Sequence, residues 1–286
     1  MSACGVPDAW MRIADRAARP GGTVVLIGGS DAGKTTLAVW LAGRLAERGL
    51  RVAAVDADVG QSRLGPPATV GWAWGAEGRP AGLRFAGDVT PAGMESRCLA
   101  AVGACAEEAR QAGAEVVLCD TTGWVSGAGA LEYKLAKTDL LRGSLGVLVE
   151  REGELQPYRR ALRGRVAVEV LSVAAVAAVR PRSVEDRRAR RREAFAAHLR
   201  EPVEVELDLR TVGLTGLSWL RERSLLGLAD GSGRLLALGL AGALDRHAGT
   251  LMCTAQAAGA GAAQVVVGRI ALDAEFGELR CTETEP

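Results

Sequence analysis

The sequence predicts an α/β protein in which helices flank a mainly parallel sheet, followed by a small β-rich part at the C-terminal end. Two observations carry this prediction. Between residues 23 and 200, short apolar runs rich in β-branched residues alternate with longer stretches of helical periodicity, as in layered α/β domains. From Glu201 onwards, short strand-like runs are divided by glycine-rich turns, and the first of these runs alternates with a period of two.

Length and composition limit how the chain is organised. Its 286 residues, 48% of them hydrophobic, are sufficient for one large domain, or for one domain with a smaller appendage. We therefore expect a lead-in helix within residues 1–22, a main domain at 23–200 and a β-rich region at 201–286. Because the net charge is only +1, any attraction for nucleic acid has to come from a local patch.

The six cysteines are scattered, and no pair has the CxxC spacing of a metal or redox site. We expect free thiols in a reducing cytoplasm. No signal peptide is visible at the start of the sequence. The longest apolar run, 166–179, contains Glu169 and is too short to cross a bilayer. These features predict a soluble, cytoplasmic protein.

The main domain starts with a strand, a loop, a helix and a second strand, after a short amphipathic helix at 5–19. Residues 23–27 are apolar and bounded by glycine, which predicts a buried parallel strand. A helix follows over 34–48, with leucines at helical spacing and Gly49 as its C-terminal stop. The next strand is at 52–55, and the connection is one right-handed crossover.

The same alternation continues along the chain. In the main domain we expect further helices at 95–112, 131–142 and 154–162, and strands at 83–86, 116–119, 145–149 and 166–171. In the C-terminal region we expect strands at 203–209, 234–239, 250–253, 265–272 and 278–281.

The loop after the first strand matches the phosphate-binding pattern G-x-x-x-x-G-K-[ST] in full, as Gly28-Gly29-Ser30-Asp31-Ala32-Gly33-Lys34-Thr35. Backbone N–H groups of such a loop, and the helix end that follows, hold the phosphates of a nucleotide. Lys34 is expected to reach the β- and γ-phosphates, and the Thr35 hydroxyl to bind magnesium. Because an apolar strand precedes the loop and an amphipathic helix follows it, a chance glycine-rich turn is disfavoured. The sequence thus predicts a P-loop NTPase fold.

Carboxylates follow two of the predicted strands. Asp56 and Asp58 end the second strand, and Asp120 follows the strand at 116–119. In an open α/β sheet, ligands lie beyond the carboxyl ends of the strands. One carboxylate can hold magnesium through water, and another can accept the proton of an attacking hydroxyl. Taken singly, each aspartate also fits a turn or a helix cap, but their grouping beside the phosphate loop favours a functional site.

A GTPase is the main alternative, because Asp120 and Gly123 also fit the DxxG pattern, and Lys137-Thr138-Asp139 resembles the end of a guanine-reading N-K-x-D motif. The second match is poor. Ala136 replaces the expected Asn, and Lys137 lies within a predicted helix and not at the end of a strand. Guanine specificity is therefore disfavoured.

Basic residues are mostly arginine: only three of the 35 are lysines, namely Lys34, Lys134 and Lys137. Because the composition favours arginine over lysine, each lysine that is present is a candidate for a specific role. The arginines cluster at 180–193, where Ser183 predicts a helix N-cap with Asp186 at the capping-box offset. Arg187 and Arg191 are four residues apart and share one face of that helix. Such arginines can clamp a phosphoryl group; the alternative is a solvated basic helix.

Three tryptophans lie in segments that the pattern predicts as glycine-rich loops: Trp72, Trp74 and Trp124. Aromatic side chains in such loops can stack on nucleic acid bases, or they can pack against their own loops. A binding role is favoured most for Trp124, because it directly follows Thr122 and Gly123 at the end of a strand.

Four motifs occur in an order that resembles the polynucleotide 5′-hydroxyl kinase family, which includes the eukaryotic RNA-end kinases of mRNA cleavage, tRNA splicing and ribosomal RNA processing, with archaeal and bacterial relatives. The resemblance covers about 23–200 and extends more faintly into the β-rich tail. The motifs are Gly28 to Thr36, Asp56-Ala57-Asp58-Val59-Gly60-Gln61-Ser62, Asp120-Thr121-Thr122-Gly123-Trp124-Val125-Ser126-Gly127, and Arg182-Ser183 with Arg187 and Arg191.

The resemblance implies a role for each motif. ATP would bind the loop from Gly28 to Thr36, with Lys34 on the triphosphate and with Thr35, Asp58 and Asp120 around Mg²⁺. Asp58 would receive the proton of the 5′-hydroxyl of an RNA or DNA end. The residues at the substrate would be Gln61, Thr122, Gly123 and Trp124, and the lid arginines would be Arg182, Arg187 and Arg191. A GTPase or metal-insertion NTPase, a nucleotide-bound scaffold without turnover and a small-molecule kinase remain alternatives.

Overall fold

The computed structural model describes residues 7–175 and 182–281. The helices in this part are α1 (Asp8–Ala17), α2 (Lys34–Ala46), α3 (Glu95–Gln111), α4 (Ala128–Leu140), α5 (Gln156–Arg163) and α6 (Val184–His198). The strands are β1 (Gly22–Gly28), β2 (Val52–Ala57), β3 (Thr69–Trp74), β4 (Gly82–Phe85), β5 (Val116–Thr121), β6 (Leu145–Glu150), β7 (Glu169–Ala174), β8 (Val203–Asp208), β9 (Gly213–Thr215), β10 (Ser224–Ala229), β11 (Leu235–Asp245), β12 (Thr250–Ala255), β13 (Gln264–Leu272) and β14 (Glu278–Arg280).

The chain forms two compact units, and neither is continuous in sequence. The described residues of the first unit fall within Met1–Asp58, Val70–Ala81 and Cys98–Arg182, and those of the second within Val59–Thr69, Gly82–Arg97 and Ser183–Pro286. This division differs from the expected boundary at residue 200. Helix α6 belongs with the β-rich part because its Phe195 and Leu199 are buried together with Leu225 and Ile270.

The first unit is built on a mainly parallel sheet. Its strands lie in the order β3-β2-β5-β1-β6-β7. Neighbouring strands are parallel throughout this row, except for β2 and β3, which are antiparallel. Helix α2 buries Leu37, Leu41 and Leu45 in one apolar cluster with Leu26 of β1 and Leu118 of β5. The predicted α/β layering is confirmed, and the carboxyl ends of the parallel strands share one edge.

The second unit is a mainly antiparallel sheet, and α6 buries its Phe195 in an apolar cluster of this unit. The strand order is β14-β13-β10-β11-β12-β8, and β9 pairs with β13 in parallel. Phe85 of β4 packs directly on Gly227 of β10, where a Cβ atom would lie 2.4 Å from the Phe85 ring. Glycine is therefore required at that position of the strand. The β-rich C-terminal part is confirmed.

Two tryptophans lie on a strand that the sequence pattern does not predict. Trp72 and Trp74 belong to β3 and not to a glycine-rich loop. Trp72 is buried, and its indole N–H donates a 2.9 Å hydrogen bond to Glu108. Its ring therefore packs in the protein and does not stack on bases. Trp74 is 45% exposed.

Several other expectations can be compared with the described part of the chain. The strand expected at 166–171 lies instead at Glu169–Ala174. Val166, at the start of the expected range, is fully exposed and lies before the strand. Strand β10 was not predicted. The described cysteines are free thiols, as expected; Cys4, Arg180 and Pro181 lie outside the described residues. In the described ranges, no helix combines the length and apolar character needed to cross a membrane.

Candidate active site

The phosphate loop connects β1 to α2 and has the backbone of an anion-binding turn. Asp31 and Gly33 have φ angles of 55° and 99°, in the left-handed region. A helix that starts directly after such a turn directs unpaired N–H groups and the positive end of its dipole at the loop. Gly28 is needed at the start, because a Cβ atom there would lie 2.5 Å from the carbonyl oxygen of Val149.

Lys34 is the first residue of α2, and its side chain folds back over the loop. The Nζ atom donates a 2.9 Å hydrogen bond to the carbonyl oxygen of Gly29, and the residue is buried. The loop therefore holds the ammonium group against its own backbone, and the role of Lys34 at the phosphates of a nucleotide remains a prediction.

Thr35 and Asp120 meet across the carboxyl ends of the central strands. The Thr35 hydroxyl donates a 2.5 Å hydrogen bond to Asp120 Oδ2. Asp120 is buried, and its second oxygen, Oδ1, has no hydrogen-bond partner within the described residues. Burial raises the pKa of Asp120, against the lowering effects of Lys34 and of the Thr35 hydroxyl. A hydroxyl beside an unpartnered carboxylate oxygen fits the oxygen-ligand preference of Mg²⁺.

Asp56 and Asp58 extend this edge of the sheet on the neighbouring strand. Asp56 of β2 is in register with Asp120 of β5. The buried Asp56 carboxylate accepts a 3.1 Å hydrogen bond from the backbone N–H of Asp58. Asp56 thereby orients the half-buried Asp58, whose negative charge contributes to the raised pKa of Asp120. Three carboxylates are thus grouped at this edge, as the sequence predicted.

The segment that follows β5 passes directly against the phosphate loop. A Cβ atom on Gly123 would lie 2.2 Å from Ser30 Oγ and 2.6 Å from Ser30 Cα, so the two backbones are in contact. Trp124 comes next, and its ring lies 5.9 Å from that of Tyr133 in a tilted arrangement. Gly123 is therefore adjacent to the nucleotide loop, and Thr122 and Trp124 are its neighbours in the chain.

Two further polar side chains contribute to the site: Asp31, which the sequence places in the phosphate loop, and Lys134, which the sequence did not assign to the site. Asp31, within the phosphate loop, forms an ion pair with Arg182, with 3.1 Å between Oδ1 and Nε. Lys134 of α4 is fully buried, and its Nζ donates hydrogen bonds to Thr121 and Thr122. Burial lowers the pKa of Lys134 well below its usual value. The scarcity of lysine was the only sequence signal for Lys134.

The other predicted site residues belong to the second unit. Ser183 caps α6 and forms the expected capping box with Asp186. Arg187 is half-buried on that helix. Arg191 forms a bidentate ion pair with Glu278 of β14. The Gln61 side chain donates a 2.7 Å hydrogen bond to the Gly60 carbonyl oxygen. The assigned roles of Gln61, Arg187 and Arg191 remain predictions.

The guanine-reading alternative is not supported by the position of Lys137. This residue lies inside α4 and is fully buried. Its Nζ is 4.3 Å from the centre of the Tyr133 ring, so the side chain is directed into the core and not towards a base. The loop, Lys34 and the strand-end carboxylates together define a P-loop nucleotide-binding protein.

Comparisons with known proteins identify the family. The family model described as "mRNA cleavage and polyadenylation factor CLP1 P-loop" matches residues 28–201, and the chain belongs to this family. A polyribonucleotide 5′-hydroxyl-kinase of Pyrococcus horikoshii is 33% identical over 203 residues, covering 68% of this chain and 55% of the relative. Another of that name, from Thermococcus kodakarensis, is 34% identical over 203 residues, covering 68% of this chain and 56% of the relative. The chain thus spans about half the length of these curated relatives.

Solved structures agree on the fold. Clp1p in a wild-type Clp1p–Pcf11p complex is similar with a TM-score of 0.67 and 11% sequence identity, covering 91% of this chain and 78% of that chain. At this identity the similarity shows the fold alone.

Proposed function

We propose that this protein is an ATP-dependent polynucleotide 5′-hydroxyl kinase, which transfers the γ-phosphate of ATP to the 5′-hydroxyl end of RNA or DNA. The observation that carries the proposal is the meeting, at one sheet edge, of the phosphate loop, the Thr35–Asp120 pair and Asp58, with Gly123 against Ser30. The family and the names of the relatives support the same activity.

The nucleotide side of the reaction rests on the phosphate loop. Its backbone N–H groups and the start of α2 bind the phosphates, and Lys34 balances the charge that spreads over the γ-phosphoryl oxygens in the transition state. Thr35 and Asp120 would hold Mg²⁺, which would neutralise part of the phosphate charge. The unpartnered Oδ1 of Asp120 supports this role.

The acceptor side rests on Asp58 and on the strand end after β5. Asp58 accepts the proton of the 5′-hydroxyl as the oxygen attacks the γ-phosphorus, the bond from that phosphorus to the bridging oxygen breaks and ADP leaves. Asp56 holds the backbone of Asp58 through the 3.1 Å hydrogen bond to its N–H. Thr122, Gly123 and Trp124 hold the terminal nucleotide next to the loop, and Arg182 contributes positive charge there. Most of the catalysis is positioning and electrostatic stabilisation.

The test is transfer of labelled γ-phosphate from ATP to short oligonucleotides with a free 5′-hydroxyl, as RNA and as DNA. The same oligonucleotides with a 5′-phosphate are the matched substrate control. Asp58→Asn and Lys34→Ala are each expected to reduce kcat by about 10²- to 10³-fold, because each removes a charged group that acts in the transition state. The control variant is Asp15→Asn. Asp15 lies on α1 and forms an ion pair with Arg48, so this variant should behave as wild type.

The outcomes separate the proposal from its alternatives. Transfer that needs a free 5′-hydroxyl and fails in both active-site variants supports the kinase. An absence of transfer from protein that binds ATP would overturn it. GTP hydrolysis without an oligonucleotide would then favour an NTPase, and retained ATP without turnover would favour a nucleotide-bound scaffold.

A further inference from the structure

Lys134 is a buried lysine next to the candidate site. It lies on α4 with no exposed surface, and an ammonium group in the interior is costly unless all its donors are paired. Only three of the 35 basic residues are lysines, and one of these is Lys34 of the phosphate loop. A buried lysine in such a chain calls for a physical explanation.

The contacts of Lys134 show what the ammonium group does. Its Nζ lies 2.6 Å from the Thr122 carbonyl oxygen, 2.8 Å from Thr121 Oγ1 and 3.1 Å from Thr122 Oγ1. The carbonyl oxygen can only accept. Thr121 Oγ1 donates its own proton to the Leu26 carbonyl oxygen at 2.7 Å, so it also accepts from the lysine. Three donors of one ammonium group are thereby matched to three oxygens at the end of β5.

This network joins the two parts of the candidate site. Leu26 lies on β1, the strand that leads into the phosphate loop, and is linked to Lys134 through the hydroxyl of Thr121. Gly123, the residue after Thr122, contacts Ser30 of that loop. Lys134 therefore holds the short segment that leads from β5 to the residue in contact with the phosphate loop.

Lys137 provides a matched comparison within the same helix. It is also fully buried, yet its Nζ has no hydrogen-bond partner among the residues that the structure describes. It lies instead over the ring of Tyr133. Burial is shared by the two lysines and lowers the pKa of both, whereas the hydrogen bonds to the strand end belong to Lys134 alone.

We propose that Lys134 is a positioning residue that holds Thr122 and Gly123 in place for the acceptor end of the reaction. This inference rests on the proposed kinase function. Lys134 does not touch the reacting atoms; it acts through the strand end. Its loss is expected to impair use of the oligonucleotide far more than binding of ATP, because the phosphate loop keeps its own hydrogen bonds.

The experiment compares Lys134→Met with Lys137→Met in the full chain. For Lys134→Met, kcat/KM for the 5′-hydroxyl oligonucleotide should fall by about 10- to 100-fold, since misplacing a positioning group by about 1 Å costs up to about 10²-fold. KM for ATP should stay within about threefold, and Lys137→Met should stay within about threefold for both substrates. Lys134→Gln, which keeps an amide donor, replaces Lys134→Met if that variant does not fold.

A double-mutant cycle with Thr122→Val and a measurement of backbone hydrogen exchange complete the test. Adding Lys134→Met to Thr122→Val should cost much less than it does in wild type, because both changes act through one contact. Exchange in residues 121–126 should be faster in Lys134→Met and unchanged in Lys137→Met. Equal losses in the two lysine variants, or unchanged exchange at the strand end, would overturn the inference.

The exchange measurement also separates the inference from the proposed function. If wild-type protein transfers no phosphate, the kinase proposal fails by itself. Faster exchange in Lys134→Met would then still show that the lysine holds the strand end, but its role would belong to a different reaction and the acceptor assignment would be withdrawn.

Discussion

Asp31 and Arg182 form an ion pair between the phosphate loop and the segment that precedes α6. Asp31 Oδ1 lies 3.1 Å from Arg182 Nε, and the backbone N–H of Arg182 donates a 3.0 Å hydrogen bond to Asp31 Oδ2. The side chain of Asp31 is only 7% exposed. Because the triphosphate is also anionic, Asp31 and a bound nucleotide would compete for the same guanidinium group.

This competition predicts that neutralising Asp31 strengthens nucleotide binding. Asn tolerates the left-handed φ of 55° at this position, so Asp31→Asn should keep the loop intact. Removing about 1 kcal/mol of repulsion corresponds to roughly fivefold tighter binding. Calorimetric titration with a non-hydrolysable ATP analogue measures the effect, and Asp15→Asn is the remote control. Weaker binding by Asp31→Asn would show that the carboxylate itself supports the site.

The buried Asp120 predicts an unusual dependence of stability on pH. Burial raises its folded-state pKa above the usual 3.8, so the folded protein binds this proton more tightly than the unfolded chain. The resulting stabilisation is fully present below pH 3.8 and is lost as the pH rises through the folded-state pKa. At neutral pH the raised pKa of Asp120 therefore costs stability, and Asp120→Asn should melt at a higher temperature than wild type.

Three further observations sharpen the Asp120 test. The gain in Tm should shrink as the pH is lowered, and it should shrink again when Mg²⁺ and nucleotide are added, because a cation favours the carboxylate. Asp139→Asn should have the opposite sign at neutral pH, since the hydrogen bond from Arg165 lowers the pKa of Asp139. Phosphate transfer by Asp120→Asn should need at least about tenfold more Mg²⁺. A lower Tm for Asp120→Asn at neutral pH would contradict the argument.

The contact between Gly123 and Ser30 predicts that even one methyl group is not tolerated there. A Cβ atom at residue 123 would meet backbone atoms of Ser30 at 2.6 Å, so one of the two segments has to move. Gly123→Ala should lower kcat/KM by about 10²-fold, as expected for displacing both subsites by about 1 Å. It should also weaken ATP binding, unlike Lys134→Met.

Gly129→Ala is the matched control for that substitution. Its Cβ atom would meet only the Trp124 ring, at 3.5 Å, and alanine is favoured over glycine within a helix by about 1 kcal/mol. Gly129→Ala should therefore be active and slightly more stable. Wild-type kinetics in Gly123→Ala would rule out a tight approach of the two backbones in solution.

Local sequence patterns were sufficient to predict the elements that depend only on neighbouring residues. The phosphate loop, the strand before it and the leucine-lined α2 all depend on neighbouring residues, and all were predicted. Strand β3 was not predicted, because Gly71 and two tryptophans obscured its apolar pattern. The burial of Trp72 depends on Glu108 of α3, which no local pattern indicates.

Long-range contacts account for the other differences. The second unit draws on three separate parts of the chain, whereas periodicity predicts elements and not their partners. The same holds for the site. The aspartates were predicted because parallel strands share one edge, but the partner of Arg182 lies 151 residues away. The role of Lys134 needed the oxygens of β5, which the sequence alone does not connect to α4.

Arg191 and Glu278 provide a prediction that separates folding from catalysis. Their bidentate ion pair joins α6 to β14, and the two side chains are only 13% and 15% exposed. Removing one partner of such a pair leaves the other charge buried and unpaired. Arg191→Met should therefore lower the free energy of unfolding by about 1–3 kcal/mol, a value reduced from that of fully buried pairs.

The control is the ion pair between Arg192, on the same helix, and Glu275. Arg192 Nη1 lies 3.7 Å from Glu275 Oε2, and the two side chains are 52% and 82% exposed. Arg192→Met should change stability by less than about 0.5 kcal/mol, because exposed pairs contribute little. The double variant Arg191→Met with Glu278→Met should regain most of the lost stability, since neither charge is then left alone. If Arg191 also serves as a lid arginine, this stable double variant should still lose at least about tenfold in kcat. Full activity in it would restrict Arg191 to a structural role and leave Arg182 and Arg187 as the candidate arginines at the phosphates.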